Sequence, residues 1–351
     1  MSGWWQRLRA GDRSTVIQAQ NVAISTNVTY SDVRDISKDV VQHEMEKFSS
    51  TAIEIFSQRF EEFVLNYYTR QATIAPEGLN SLNDPFMQRA LRTAHVEYGA
   101  SGNADTGEML ADLLVTLSTY EPQRFQAICL NEALSVVPKL RKNQIAALTA
   151  LLITSGVQLS AGFLADYYKL LRDHLAPLST LVPDDRLSYR HMQFAQVGWM
   201  NTSKIRSFGG MIQNTLPGLF TEGILQADVP EPLRVNPPIW VKHERYNERV
   251  RINAPNYAAI DALANAHPVI VPWVSNLKEQ MRRALTKPED IEKQIITEIP
   301  EMERLIRIWN NAELGYFELT SIGIVIGHAN WKQMGTGPIV DLDSAFPSSD
   351  A

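Results

Sequence analysis

The chain has a single cysteine, Cys129, in 351 residues, which excludes an intramolecular disulfide framework and any cysteine-rich zinc site. Cys129 lies in an apolar stretch and reads as a small buried hydrophobe. The start, Met1-Ser-Gly-Trp-Trp-Gln-Arg7, has no apolar run of the length a secretory signal needs. No later run reaches the roughly 18 apolar residues of a spanning helix, and the nearest, Ile145 to Gly156, reads as a buried helix. A cytoplasmic protein without a membrane span is therefore expected, with Trp4 and Trp5 as the one feature suited to touch a membrane surface. Basic excess is absent too: 39 acidic against 33 basic residues give a net charge of −6, which argues against a dedicated duplex-DNA binder.

Signature motifs are equally scarce. There is no phosphate-binding Gly-rich loop, dinucleotide fingerprint, nucleophile elbow or His-Glu-x-x-His. The seven histidines (43, 95, 174, 191, 243, 267 and 328) include no pair at i, i+3 or i, i+4, the spacings that place two ligands on one helix face. No metal, cofactor or catalytic residue is assigned. Asp184-Asp185 reads as the acidic start of a helix, Asp341 and Asp343 as a solvated loop, and Glu244 beside His243 as part of a hairpin turn.

What is present is a globular composition, 44% apolar and 21% charged, with long stretches of helical periodicity. The fold class expected is mainly α: a helical bundle with a short N-terminal β segment, a long N-terminal helix and one β-hairpin in the C-terminal half. Residues 11–30 are rich in β-branched side chains and read as two short strands, marginal alone. Ser31 and Asp32 offer an N-cap. Apolar residues then recur at Val33, Ile36, Val40, Phe48, Ala52, Phe56, Phe60, Phe63 and Tyr67, predicting one helix over 31–71, ending before Ala75-Pro76. A helix that long needs several packing neighbours or its own copy in an oligomer. Runs from Met109 to Leu117, Phe125 to Val137 and Ile145 to Ile153 predict close-packed bundle helices through residue 175.

Prolines 177, 183, 217, 230, 232, 237 and 238 mark 176–238 as a loop-rich region. Residues 239–243 and 249–253 flank Glu244-Arg-Tyr-Asn-Glu248 as a hairpin, and helices follow over 260–284, 288–299, 301–312 and 318–331, the last capped by Thr320 or Ser321. The segments are thus 1–30, 31–175, 176–238, 239–334 and a tail over 335–351. Lys242, Arg245, Arg249 and Arg251, beside Trp240 and Tyr246, are candidate nucleic-acid contacts, although a charged solvent-facing ribbon explains the same residues.

Gly11-Asp-Arg-Ser-Thr-Val-Ile-Gln18, Thr29-Tyr-Ser-Asp-Val-Arg-Asp-Ile36, Cys129-Leu-Asn-Glu-Ala-Leu134, Val137-Pro-Lys-Leu-Arg-Lys-Asn-Gln-Ile145 and Leu319-Thr-Ser-Ile-Gly323 together resemble a poorly characterised bacterial family with members linked to phage defence. The resemblance implies a setting and no catalytic residue. Ser14-Thr-Val-Ile-Gln18 is also similar to bacterial amyloid-signalling motifs, with Ala19 where such cores often have glycine. The expected function is a self-assembling interaction or sensor protein. It would oligomerise through Val16, Ile17, Gln18, Val22 and Ile24 and the helix 31–71, and bind a protein partner or phage-derived trigger. The rivals are a nuclease-like effector enzyme with a site assembled from dispersed residues, and nucleic-acid binding through the 239–251 hairpin.

Overall fold

The computed structural model describes residues 28–346, apart from 47, 157–161, 202, 204–206, 235–238, 312 and 336. The β-prone positions Val16, Ile17, Gln18, Val22 and Ile24, with Trp4 and Trp5, lie outside the described residues. The chain divides into two compact units, one running through Pro138 and the other from Lys139 onward.

Unit 1 is helical: α1 (Tyr30–Met45), α2 (Ser50–Ile74), α3 (Pro85–Ser101), α4 (Ala104–Leu117) and α5 (Phe125–Val136). The single helix expected over 31–71 is two helices. Ser49 leaves helical geometry and accepts a hydrogen bond from the Ala52 backbone N–H, so a new N-cap forms where the apolar stripe alone predicted continuation. The two arms fold back on each other antiparallel. Arg34 grips Glu61 with Nε at 3.0 and 2.9 Å, and the rings of Tyr30 and Tyr68 meet edge to face at 5.5 Å. The first cap is Thr29, two residues ahead of the expected Ser31: its hydroxyl accepts from the Asp32 N–H, and its own N–H donates to the Asp32 carboxylate at 2.8 Å.

The apolar face of α2 (Phe56, Phe60, Phe63, Val64 and Tyr67) is buried within unit 1, and α2 packs on both α3 and α4. Gly99 of α3 is needed there, since any Cβ would collide with the Phe56 ring. Arg59 bonds the carbonyls of Gly99 and Ala100 at 2.8 and 2.9 Å and so satisfies the end of α3, where Gly102 turns the chain at φ +63°. Cys129 is buried on α5, as expected.

Unit 2 comprises α6 (Lys142–Leu151), α7 (Leu164–Leu170), α8 (Ala176–Ser179), α9 (Arg186–Phe194), α10 (Phe208–Thr215), α11 (Glu231–Arg234), α12 (Tyr257–Ala266), α13 (Val274–Arg283), α14 (Pro288–Glu298), α15 (Glu303–Asn311), α16 (Ser321–Gln333) and α17 (Leu342–Ala345). A π-helical turn over Leu171–Leu175 connects α7 to α8. Strands β1 (Gly198–Met200) and β5 (Phe317–Leu319) pair antiparallel. β2 (Ile224–Leu225), β3 (Trp240–Lys242) and β4 (Arg249–Ile252) form a second sheet in the order β2-β4-β3. The hairpin expected at 239–253 is β3–β4, in the register Trp240 to Ile252.

Among its described residues the Pro-rich stretch 176–238 carries four short α-helices, a 3-10 turn over Gln226–Asp228 and two short strands. Asp185 is the N-cap of α9, Thr320 that of α16 and Asp341 that of α17. At the centre of the unit α6 crosses α16, where Gly327 admits the Leu148 backbone and Thr149 donates to the Gly327 carbonyl at 3.1 Å. A separate core beneath the three-stranded sheet joins Val250 and Ile252 to Ile260 and Ala264 of α12 and Leu277 and Met281 of α13. Among the described residues no helix is long and apolar enough to cross a membrane.

His95 of α3 sits between Phe60 and Phe63, at ring distances of 4.8 and 4.9 Å, and among the described residues neither of its ring nitrogens has a hydrogen-bond partner. Burial pushes its pKa down to about 3. The unfolded chain takes up this proton below about pH 6.5 while the folded chain refuses it. The stability His95 confers is therefore complete above that pH and falls by about 1.4 kcal/mol for each unit of acidification. In urea unfolding of the full chain, wild type should lose about 2 kcal/mol more than His95→Phe between pH 6.5 and 5. Equal losses would show that the imidazole does not resist protonation.

Candidate functional site

Alternation along β4 turns Val250 and Ile252 to the core and Arg249 and Arg251 to the other face, where Gly162 and Phe163 cover Arg251. It is 1% exposed, which removes it from the solvent-facing ribbon expected at Lys242, Arg245, Arg249 and Arg251. A buried guanidinium needs partners on all sides. Arg251 Nη2 and Nε bond the Glu244 carboxylate at 2.5 and 2.9 Å, Nη2 also donates to the Gly162 carbonyl at 2.9 Å, and Nη1 to the Ile252 carbonyl at 3.2 Å. Its plane lies over the Phe163 ring, 5.6 Å from the centroid. Partial burial opposes ionisation of Glu244, but Arg251 and the Leu164 backbone N–H win and hold its carboxyl below the usual range.

The turn between β3 and β4 is fixed from beneath by His243. Its Nδ1 accepts from the Arg245 backbone N–H at 3.0 Å, so the proton sits on Nε2, which donates to the Thr221 carbonyl at 2.9 Å. Tyr246 lies tilted against the His243 ring, with centroids 4.8 Å apart. Arg249 is half-buried: its guanidinium lies over the Tyr246 ring at 5.5 Å and donates to the Glu222 carbonyl at 3.0 Å. Gly223 allows this approach, because it adopts φ +63° and a Cβ would crowd the Val250 carbonyl and the His243 ring. Only Lys242 and Arg245 of the four expected cations are exposed.

Between this turn and two helices lies a groove of about 590 Å³. Leu164, Ala165 and Tyr168 of α7 form one wall, and Glu244, Arg245 and Tyr246 form the rim. Opposite stands the face of α14 carrying Asp290, Lys293, Gln294, Thr297 and Glu298, spaced i, i+3, i+4, i+7 and i+8. Glu222 and Thr286 close the end, held together by antiparallel pairing in which Glu222 N–H donates to the Ala284 carbonyl and Thr286 N–H to the Phe220 carbonyl.

Most of the groove's charges are already matched. Glu244 has Arg251, Asp290 has Lys293 at 3.0 Å and Glu298 has Arg172 at 3.8 Å. The side chains of Glu222 and Arg245 make no hydrogen bond or ion pair among the described residues. Sequence reasoning singled out Arg245 but not α7 or α14, whose polar stripes read as solvated helix faces. Among the described residues no group of three or more His, Cys, Asp and Glu side chains could hold a metal ion. Four histidines are instead buried apart from one another: His95, His174, His243 and His328.

Loss of one partner of a buried ion pair leaves a stranded charge and costs about 3–5 kcal/mol. Arg251→Met leaves a partly solvated Glu244 and should lower the urea unfolding free energy by less than that, about 1–3 kcal/mol, Arg249→Ala by less than about 1 kcal/mol. The double variant Glu244→Met/Arg251→Met should recover most of the loss. Equal effects of the two single arginine substitutions would contradict the burial assigned to Arg251.

Neither the curated proteins nor the solved structures contain a match to this chain. One family model, whose description names no activity, matches residues 27–345 and so covers both units, while the Gly11 to Gln18 motif lies ahead of the matched span. With nearly its whole length inside that model, the chain belongs to this poorly characterised family.

Proposed function

We propose that the protein is a self-assembling interaction protein in which the part of the 11–30 segment ahead of the Thr29 cap joins copies by strand pairing and the helical body carries the partner surface. Val16, Ile17, Gln18, Val22 and Ile24 are the pairing positions, and the resemblance of the N-terminal segment points to a phage-derived trigger. The observation that carries the reading is the cap at Thr29. Its reciprocal bonds with Asp32 complete the start of α1, so the helical body asks nothing of the residues before 28 to end its first helix. A β-branched segment preceding a finished helix suits pairing with another strand.

The part that helix 31–71 plays in assembly is narrower than its periodicity suggests. Its apolar stripe is buried in unit 1, which leaves Ile55 and Leu65, 49% and 43% exposed, as the large apolar positions of α2 beyond Phe48 and Ile74 at its ends that another copy could cover. Light scattering after size exclusion tests the proposal. The whole chain should elute at a multiple of 39.5 kDa, and a chain lacking residues 1–27, which keeps the Thr29 cap, should be a monomer with unchanged helical circular dichroism. Ile17→Lys in the full chain should shift the mass in the same direction. Equal monomeric masses for all three would remove the proposal.

A further inference from the structure

Two side chains that line the groove of unit 2 are buried with polar atoms left over. Tyr168 and Thr286 are each 8% exposed, and neither hydroxyl makes a hydrogen bond among the described residues. The hydroxyls themselves are not sealed from solvent: both stand at the wall of an open groove of ligand size, where each can donate and accept. Burial raises the Tyr168 pKa, against the pull of nearby Arg245, so its hydroxyl remains a donor as well as an acceptor. Glu222 adds an unmatched carboxylate on the same lining.

The polarity selects among occupants. Glu244, Asp290 and Glu298 are already matched by Arg251, Lys293 and Arg172, so the lining leaves over one carboxylate, Glu222, and one cation, Arg245, and offers no run of cations for a polyanion. An extended polypeptide, in contrast, offers N–H and C=O groups in alternation, which two hydroxyls acting as donor and acceptor can match. A cationic side chain on it would complete Glu222. We propose that the groove is a binding site for a short extended polypeptide segment bearing a lysine or arginine, with its backbone on the Tyr168 and Thr286 hydroxyls and its cation at Glu222. The site lies wholly within unit 2 and goes beyond the assembly reading, on which it does not depend.

Selection of a displayed random heptapeptide library on the immobilised full chain tests the proposal across the whole ligand class. Enriched sequences should share a Lys or Arg, and a synthetic peptide of that consensus should bind more weakly as salt rises. Glu222→Gln and Tyr168→Phe should each weaken its Kd by about tenfold. The unpartnered hydroxyl holds nothing in the fold, so Tyr168→Phe should leave the urea midpoint unmoved, an outcome that a purely structural tyrosine would not give. Both variants should also keep the wild-type mass in light scattering, which separates failure here from failure of self-assembly. The proposal is overturned by no enrichment, by an acidic consensus, by binding indifferent to both substitutions, or by tighter binding of a dT12 oligonucleotide than of the peptide.

Discussion

The groove of unit 2 depends on one buried ion pair. Arg251 comes from a strand, Glu244 from the turn that precedes it and Gly162 from the approach to α7, and a single guanidinium bonds all three. A planar fork with five donors can do this; a lysine, with one ammonium, cannot reach the same three acceptors in the same plane. The pair is a poor source of net stability, because desolvating two charges offsets most of their attraction. What it provides is placement. With Glu244 drawn toward Arg251, the neighbouring Arg245 and Tyr246 are held at the rim of the groove, and the start of α7 is brought beneath them.

Unit 1 shows the same economy in a different form. A stripe of phenylalanines and tyrosines that could have served an intermolecular coiled coil is closed internally, because Ser49 starts a second helix and Arg34 ties the two arms through Glu61. The helical packing starts at a completed cap, the reciprocal bonds between Thr29 and Asp32.

The helices of this fold were legible because their apolar spacing, their caps at Asp185 and Thr320 and the Pro-rich breaks are local features. The β3–β4 hairpin was legible for the same reason. The break at residues 46–49 was not, since a 3.6-residue stripe continues across it and one serine carries the signal. Arg251 was misjudged as solvent-facing because alternation along a strand tells which residues share a face but not which face is covered. The groove was invisible for a further reason. Its walls come from residues 164–168, 222, 244–246 and 286–298, and nothing in any one segment distinguishes a polar stripe lining a cleft from one facing bulk water.

The π-helical turn over Leu171–Leu175 divides the helical stretch from Leu164 to Ser179 into two angular frames. One residue beyond the regular count rotates everything after it by about 100°. Tyr168 therefore belongs to a frame that points at the groove, whereas Leu178 and Ser179 belong to one that points into the interior of the unit, where the Ser179 hydroxyl accepts from the Leu305 backbone N–H at 3.2 Å. A helical wheel drawn through the whole stretch would merge these faces, and a relative with one residue fewer in this turn would present a different set of side chains to the same neighbours.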